Sequence, residues 1–228
     1  VSGFQPQIWQ LPAGWRIMTT TLEASNLVLK DVRKLLKLER KLNNSFSPLL
    51  SLEPLTANEQ QDLNRICLNL ESYYEAGKLL EEEVKFLALS PLMWLAGFYD
   101  PKIGITLEEN IAPIHIQDED IVIKGRMDIL AVTRPETNTT PLWILLIESK
   151  RGRIDALEGL PQLLTYAHTS LAYQDSVWGL TTNGINYQFI LLVKQQSTIY
   201  YLLPELSIIR PEQSRELLQV LKEICKQY

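Results

Sequence analysis

The sequence predicts an α/β fold: a central mixed β-sheet flanked by helices, with an N-terminal helical extension. Two observations carry this. The first 100 residues are dominated by Leu-, Lys- and Glu-rich stretches of helical texture, after which short runs rich in Ile, Val, Leu and Trp take over. Those later runs are interrupted by one helical segment and closed by another, the alternation that covers both faces of a sheet.

The elements follow in order. Residues 1–17, with Pro6, Pro12 and Gly14, show no periodicity and read as an extension or remnant ahead of a natural start at Met18. Residues 18–70 read as an N-terminal helical segment. Within it, residues 22–42 read as helix, ended by Asn43-Asn44-Ser45, and Pro48 and Pro54 mark a connector. Thr56-Ala57-Asn58-Glu59 is a capping box that opens a second helix through about Leu80, with Gly77 a point of weakness. Residues 71–228 read as the main domain. Residues 80–89 continue as helix, and Ser90-Pro91 predicts a new helix start, running to about Phe98.

Strands are predicted over residues 103–107, 112–117, 121–132, 142–147, 177–181, 187–193 and 197–203. Residues 134–141 form a hairpin connection, residues 155–172 a helix, Asn183-Gly184 a turn and residues 211–227 a closing helix.

Composition narrows the function classes. At 228 residues the chain can bury a sizeable core, and its 46% hydrophobic and 21% charged fractions are ordinary for a soluble globular protein. No apolar run approaches the roughly 20 residues that span a membrane. Cys67 and Cys225 lie far apart, with no disulfide framework or zinc spacing, and no secretory signal opens the chain. A cytoplasmic location is expected. The net charge of -5 counts against avid, unspecific nucleic-acid binding but leaves room for a local basic face.

The chemistry concentrates between Gly125 and Gln162. Asp128 closes one apolar-flanked segment, and Glu148-Ser149-Lys150 closes the run 142–147. If the two strands are neighbours, their carboxylates meet. Hard cations such as Mg²⁺ take one or two carboxylates together with phosphate and water, and the Ser149 carbonyl can add an oxygen. Side chains alternate along a strand, so Glu148 and Lys150 share a face while Ser149 turns away. Lys150 is then placed to orient water or to steady charge on a phosphate. Taken alone, Glu-x-Lys at a strand end is a common surface pattern.

Gly125-Arg126-Met127-Asp128-Ile129-Leu130, followed by Ile147-Glu148-Ser149-Lys150-Arg151, resembles the PD-(D/E)xK nuclease superfamily. Within it, the chain resembles the N-terminal nuclease domain of type I restriction enzyme motor (R) subunits and related standalone cyanobacterial proteins. The likeness runs from about Glu71 to Tyr228. Met127 stands where the family often has Pro.

The resemblance implies a restriction endonuclease-like core, with Asp128 and Glu148 holding Mg²⁺ (Mn²⁺ substituting) and Lys150 assisting the water. It also implies a Glu from the first helix. Of Glu81, Glu82 and Glu83, the family spacing to Val84-Lys85 selects Glu81, which a helical wheel also puts nearest the apolar stripe of Val84 and Ala88. A Gln-x-x-x-Tyr pair in the helix after the Lys corresponds to Gln162 and Tyr166, which are four apart and share a helix face. Arg126, Arg151 and Arg153 cluster near the motif and suit phosphate contacts, and the resemblance adds Tyr166 to them, near DNA or the Lys. His115 and His168 lack metal-ligand spacing and read as structural.

The function that follows is Mg²⁺-dependent hydrolysis of DNA phosphodiesters. The implied partners are DNA, together with a second copy or separate restriction-modification subunits. No Walker-type phosphate loop occurs in the sequence, so cutting is expected without an ATP-driven motor in this chain. The alternative is a catalytically silent or partner-dependent nuclease-like module that binds DNA or serves assembly.

Overall fold

The computed structural model describes residues 20–77, 79–116, 119–135 and 139–228. The expected extension, Met18, Gln117 and the middle of the 134–141 connection lie outside the described residues.

The architecture is a mixed α/β fold with helices on both faces of a seven-stranded sheet. The described strands are β1 (Thr20–Glu23), β2 (Leu38–Leu42), β3 (Ile103–Asn110), β4 (Ile114–Ile116), β5 (Ile121–Lys124), β6 (Arg126–Thr133), β7 (Trp143–Ser149), β8 (Ser176–Thr182), β9 (Asn186–Lys194) and β10 (Thr198–Ser207). The large sheet has the order β2-β10-β9-β8-β7-β6-β3, and a small sheet has the order β1-β5-β4. In the large sheet β7 pairs with β8, and β10 with β2, in parallel; the other neighbours are antiparallel.

The helices are α1 (Leu29–Leu35), α2 (Ala57–Ala76), a continuous helical run α3 over residues 81–96, α4 (Leu160–Ser170) and α5 (Pro211–Lys226). α4 follows a 3₁₀ turn at Ala156–Gly159 and lies in the connection between the parallel strands β7 and β8.

Period-two alternation divides the core. Ile129, Ala131, Leu145 and Ile147 pack in one buried cluster with Leu63, Leu92 and Leu221 of α2, α3 and α5. Their strand neighbours Leu130 and Leu146 pack in a second cluster with Val32 of α1 and Leu163 and Leu164 of α4. Strands buried on both faces read as continuous apolar runs, which is why β7 lacks visible alternation. No helix among the described residues is long and apolar enough to cross a membrane.

Three local expectations need correction. Residues 22–42 are not one helix. β1 pairs with β5, α1 is short, and β2 pairs in parallel with β10 as an edge of the large sheet. Lys, Glu and Leu favour a helix only weakly, and cross-strand pairing overrides that preference.

The predicted strand 121–132 breaks at Gly125, so β5 and β6 belong to different sheets. Finally, Ser90-Pro91 does not start a new helix. Val84–Leu89 is a π-helical segment, the Ser90 amide donates to the carbonyl of Lys85, and the helix runs on to Ala96. Proline has no amide to give the i−4 carbonyl, and the wider turn just before it accommodates the missing bond. The capping box is present as expected: Thr56 Oγ1 accepts from the Glu59 amide, and the Glu59 carboxylate accepts from the Thr56 amide at 2.7 Å.

Candidate active site

β6 and β7 run antiparallel with Ile129 opposite Ile147, which brings Asp128 and Glu148 to the same end of adjacent strands. Both are buried, Glu148 to within 2% of complete burial. The β6–β7 register ends at the Ile129–Ile147 pair. Beyond it, Ser149 gives its amide to Asp128 Oδ2 at 2.7 Å and its hydroxyl to the same oxygen at 2.8 Å. Strand alternation predicts that the Ser149 side chain turns away; instead its hydroxyl joins the amide in locking one oxygen of Asp128.

A cavity of about 340 Å³ opens at this strand end, and Glu81, Asp128, Glu148, Lys150, Gln162, Tyr166 and Arg126 all line it. Two hydrogen-bonded chains organise it. In the first, Lys150 Nζ donates to Glu148 Oε1 at 2.8 Å and to Gln162 Oε1 at 2.6 Å. Gln162 Nε2 in turn donates to the Tyr166 hydroxyl at 3.2 Å. The four-residue spacing on α4 makes this last contact possible.

In the second chain, Lys85 Nζ bonds Asp128 Oδ1 at 3.0 Å and Glu108 Oε1 at 2.8 Å, with Glu81 Oε1 at 3.5 Å. Arg126 Nε closes it on Glu108 Oε2 at 2.9 Å.

The helix α3 sorts its three acidic residues. Glu81 and Glu82 line the cavity, while Glu83 turns back to accept the Leu80 amide at 2.7 Å as a cap. Arg126 also lines the cavity. Arg151 and Arg153 do not: both are exposed, and Arg153 lines a separate cleft with Tyr74, Asn183 and Glu205. The chain turns away after Lys150, so adjacency in sequence is not adjacency in space. Of the two histidines, neither lines the cavity.

Sequence reasoning missed Lys85, Glu108 and Gly159. Glu108 sits on β3 with φ of 55°, a left-handed conformation costly for a residue with a Cβ. Gly159 leaves room for Glu148, since a Cβ there meets Glu148 Cγ at 3.1 Å. Lys85 was visible only as the second half of Val84-Lys85, and nothing in the sequence aims it across the sheet.

The electrostatics are those of carboxylates crowded away from water. Burial first, then the negative charge of Asp128, push the Glu148 carboxyl up to about 8, against partial relief from Lys150. Burial disfavours the charge of Lys85, but the bonds and charges of Glu108 and Asp128 outweigh this and hold its pKa above the ordinary lysine range.

The donor set suits a hard divalent cation. Glu148 Oε2 is buried with no hydrogen-bond partner, and Asp128 lies beside it. Among the described residues, no three His, Cys, Asp or Glu side chains group closely enough to hold a metal by themselves. Two carboxylates supplemented by phosphate and water are, however, a usual set for Mg²⁺.

The raised Glu148 pKa has a consequence for stability. Between its ordinary value of 4.5 and about 8, the folded protein keeps Glu148 protonated while the unfolded chain ionises it. The native state then binds more protons, so stability falls as pH rises through this window. Thermal unfolding in EDTA is expected to show a steeper loss over that range for the parent protein than for Glu148→Gln. Parallel profiles would remove the assignment.

No family model and no curated protein matches the chain. Among solved structures, it is similar to a fragment assigned to the HsdR subunit of a type I restriction enzyme from Vibrio vulnificus YJ016. The identity is 18% and the TM-score 0.37, over 63% of this chain and 26% of that one. The chain thus spans well under two thirds of that protein's length.

Proposed function

We propose that this protein is a divalent-metal-dependent nuclease that hydrolyses DNA phosphodiesters at the cavity between β6, β7, α3 and α4. The observation that carries the reading is convergence: Asp128, Glu148, Lys150, Glu81 and Gln162, drawn from four separate segments, line one polar cavity. A buried carboxyl pair beside a positioned ammonium, with the pKa of Glu148 raised, supports a functional constellation over a random surface one.

In this reading Asp128 and Glu148 hold Mg²⁺ or Mn²⁺, with the Ser149 carbonyl and Glu81 at the margin of the set. The cation supplies Lewis acidity toward a phosphoryl oxygen and lowers the pKa of water. The protein's residues do the rest. Ser149 fixes Asp128 Oδ2 through two hydrogen bonds and Lys85 holds Oδ1, so the carboxylate keeps one orientation. Glu148 and Gln162 hold the Lys150 ammonium from two sides, which leaves one of its three donors for a phosphate oxygen or the attacking water. Tyr166, packed behind Gln162, orients that amide. Arg126, exposed at the rim, serves as a phosphate contact once it leaves Glu108.

Supercoiled plasmid incubated with Mg²⁺, Mn²⁺ or EDTA tests the reading. Nicking that requires the cation is expected. Cleavage that persists in EDTA would exclude this mechanism.

A further inference from the structure

A larger groove of about 620 Å³ adjoins the carboxylate cavity, and the two share Glu82, Lys85, Glu108 and Asp128 as a common wall. Its character is different. The buried side chains Met93, Phe98 and Ile129 line it, and Phe86, Tyr99 and Leu107 stand exposed around it at 76%, 49% and 62%. Single exposed apolar residues need no explanation, but a continuous apolar groove rimmed by aromatics is a binding feature.

The rim is built rather than accidental. Phe86 projects from the π-helical segment of α3, next to Lys85, which reaches into the carboxylates. The Tyr99 hydroxyl is tied to Ser90 Oγ at 2.8 Å, which fixes the ring.

We propose that this groove receives the unstacked base of the nucleotide whose phosphodiester lies at Asp128 and Glu148. The substrate is then an unpaired or extruded strand rather than an intact duplex. The inference rests on the nuclease reading above and extends it to a substrate class.

Three arguments carry it. One sugar joins a phosphate to its base, so a phosphate at Asp128 puts the base within reach of the wall that the cavity and groove share. The groove volume falls in the roughly 300–1,000 Å³ range of small-molecule sites, and its surface is mainly apolar, with the polar side chains of Asp100 and Arg134 in the lining for the edge of a base. The net charge of -5 leaves the phosphate backbone little sequence-independent attraction, so stacking must supply a larger share of the affinity. A base inside a duplex has both faces covered and cannot reach Phe86 or Tyr99 without leaving the stack.

Fluorescence anisotropy tests the proposal, with Ca²⁺ in place of Mg²⁺ to withhold cleavage. The probes are a short fluorescein-labelled oligodeoxythymidine strand, the same strand with its bases removed, and its duplex with oligodeoxyadenosine. Parent protein is expected to bind the thymidine strand more tightly than either alternative. Phe86→Ala is expected to weaken that binding by about 5–150-fold, the equivalent of one lost base–aromatic stack, and to leave the abasic strand unchanged. Phe86→Trp is expected to retain it.

The Phe86 ring is exposed, so its removal spares the core, and a melting curve verifies this. Three results would each overturn the proposal: no binding of the thymidine strand, equal binding of normal and abasic strands, or unchanged binding by both Phe86→Ala and Tyr99→Ala. The last would point to a protein segment as the occupant. Base-dependent binding without any metal-dependent cleavage would instead sink the nuclease reading and leave the groove as a base site.

Discussion

Lys150→Ala is expected to lower metal-dependent cleavage by about 10²–10⁴-fold, the range for removing a positioned proton-transfer or charge-stabilising group. The ammonium is the junction of the first hydrogen-bonded chain. Its loss strips Glu148 Oε1 and Gln162 Oε1 of their shared donor, and it removes both influences by which Lys150 lowers the Glu148 pKa. Glu148 then stays protonated to still higher pH. The activity loss is therefore expected to come with an upward shift of the alkaline limb of the unfolding profile, the signature of the Lys150–Glu148 contact. Asp128→Asn is expected to cost a similar factor. The amide oxygen can still accept the two Ser149 bonds, while the charge and the bond from Lys85 are lost; a melting curve verifies the fold. Either variant cutting at the parent rate would remove these residues from the mechanism.

Gly125→Ala is the second large expected effect, and it acts through packing. A Cβ at position 125 would lie 2.6 Å from Tyr166 Cε1, 2.9 Å from its hydroxyl and 3.0 Å from Ala24 Cβ. Tyr166 is 1% exposed, so its ring has little room to retreat. Overpacking of this kind costs about 1–3 kcal/mol. The displaced ring also carries the hydrogen bond from Gln162, which positions Lys150. Denaturant unfolding should show the loss of stability, and kcat should fall more than KM rises. Full stability together with full activity would mean that Tyr166 is not held by this contact.

Gly125 also illustrates what the sequence made legible. Gly-x-x-Asp ahead of Glu-x-Lys marked position 125 without giving its reason. The reason is the Tyr166 ring, which arrives from a helix some forty positions later. Glu148 and Lys150 could be put on one face, and Asp128 beside them, because strand ends and period-two alternation are local rules; Gln162 joined them through the family resemblance. The same rules gave β3 and β7 to β10 nearly in place, because buried strands are written as Ile/Val/Leu runs.

What failed depended on distant partners. β2 reads as helix by composition, and only β10 makes it a strand. Lys85 and Glu108 enter the site from α3 and β3, and no motif links them to Asp128. Arg151 and Arg153 were adjacent to Lys150 in the chain, but the backbone carries them out of the cavity.

Whether Asp128 and Glu148 form one cation site is decided by Mn²⁺ titration calorimetry near neutral pH. Repeating it in buffers of different ionisation enthalpy reads proton release. Below a Glu148 pKa of about 8, cation binding must expel the carboxyl proton. Saturable binding with release of a proton is expected, and loss of both in Asp128→Asn. Binding by Asp128→Asn equal to the parent, or no saturable binding by the parent protein, would contradict it.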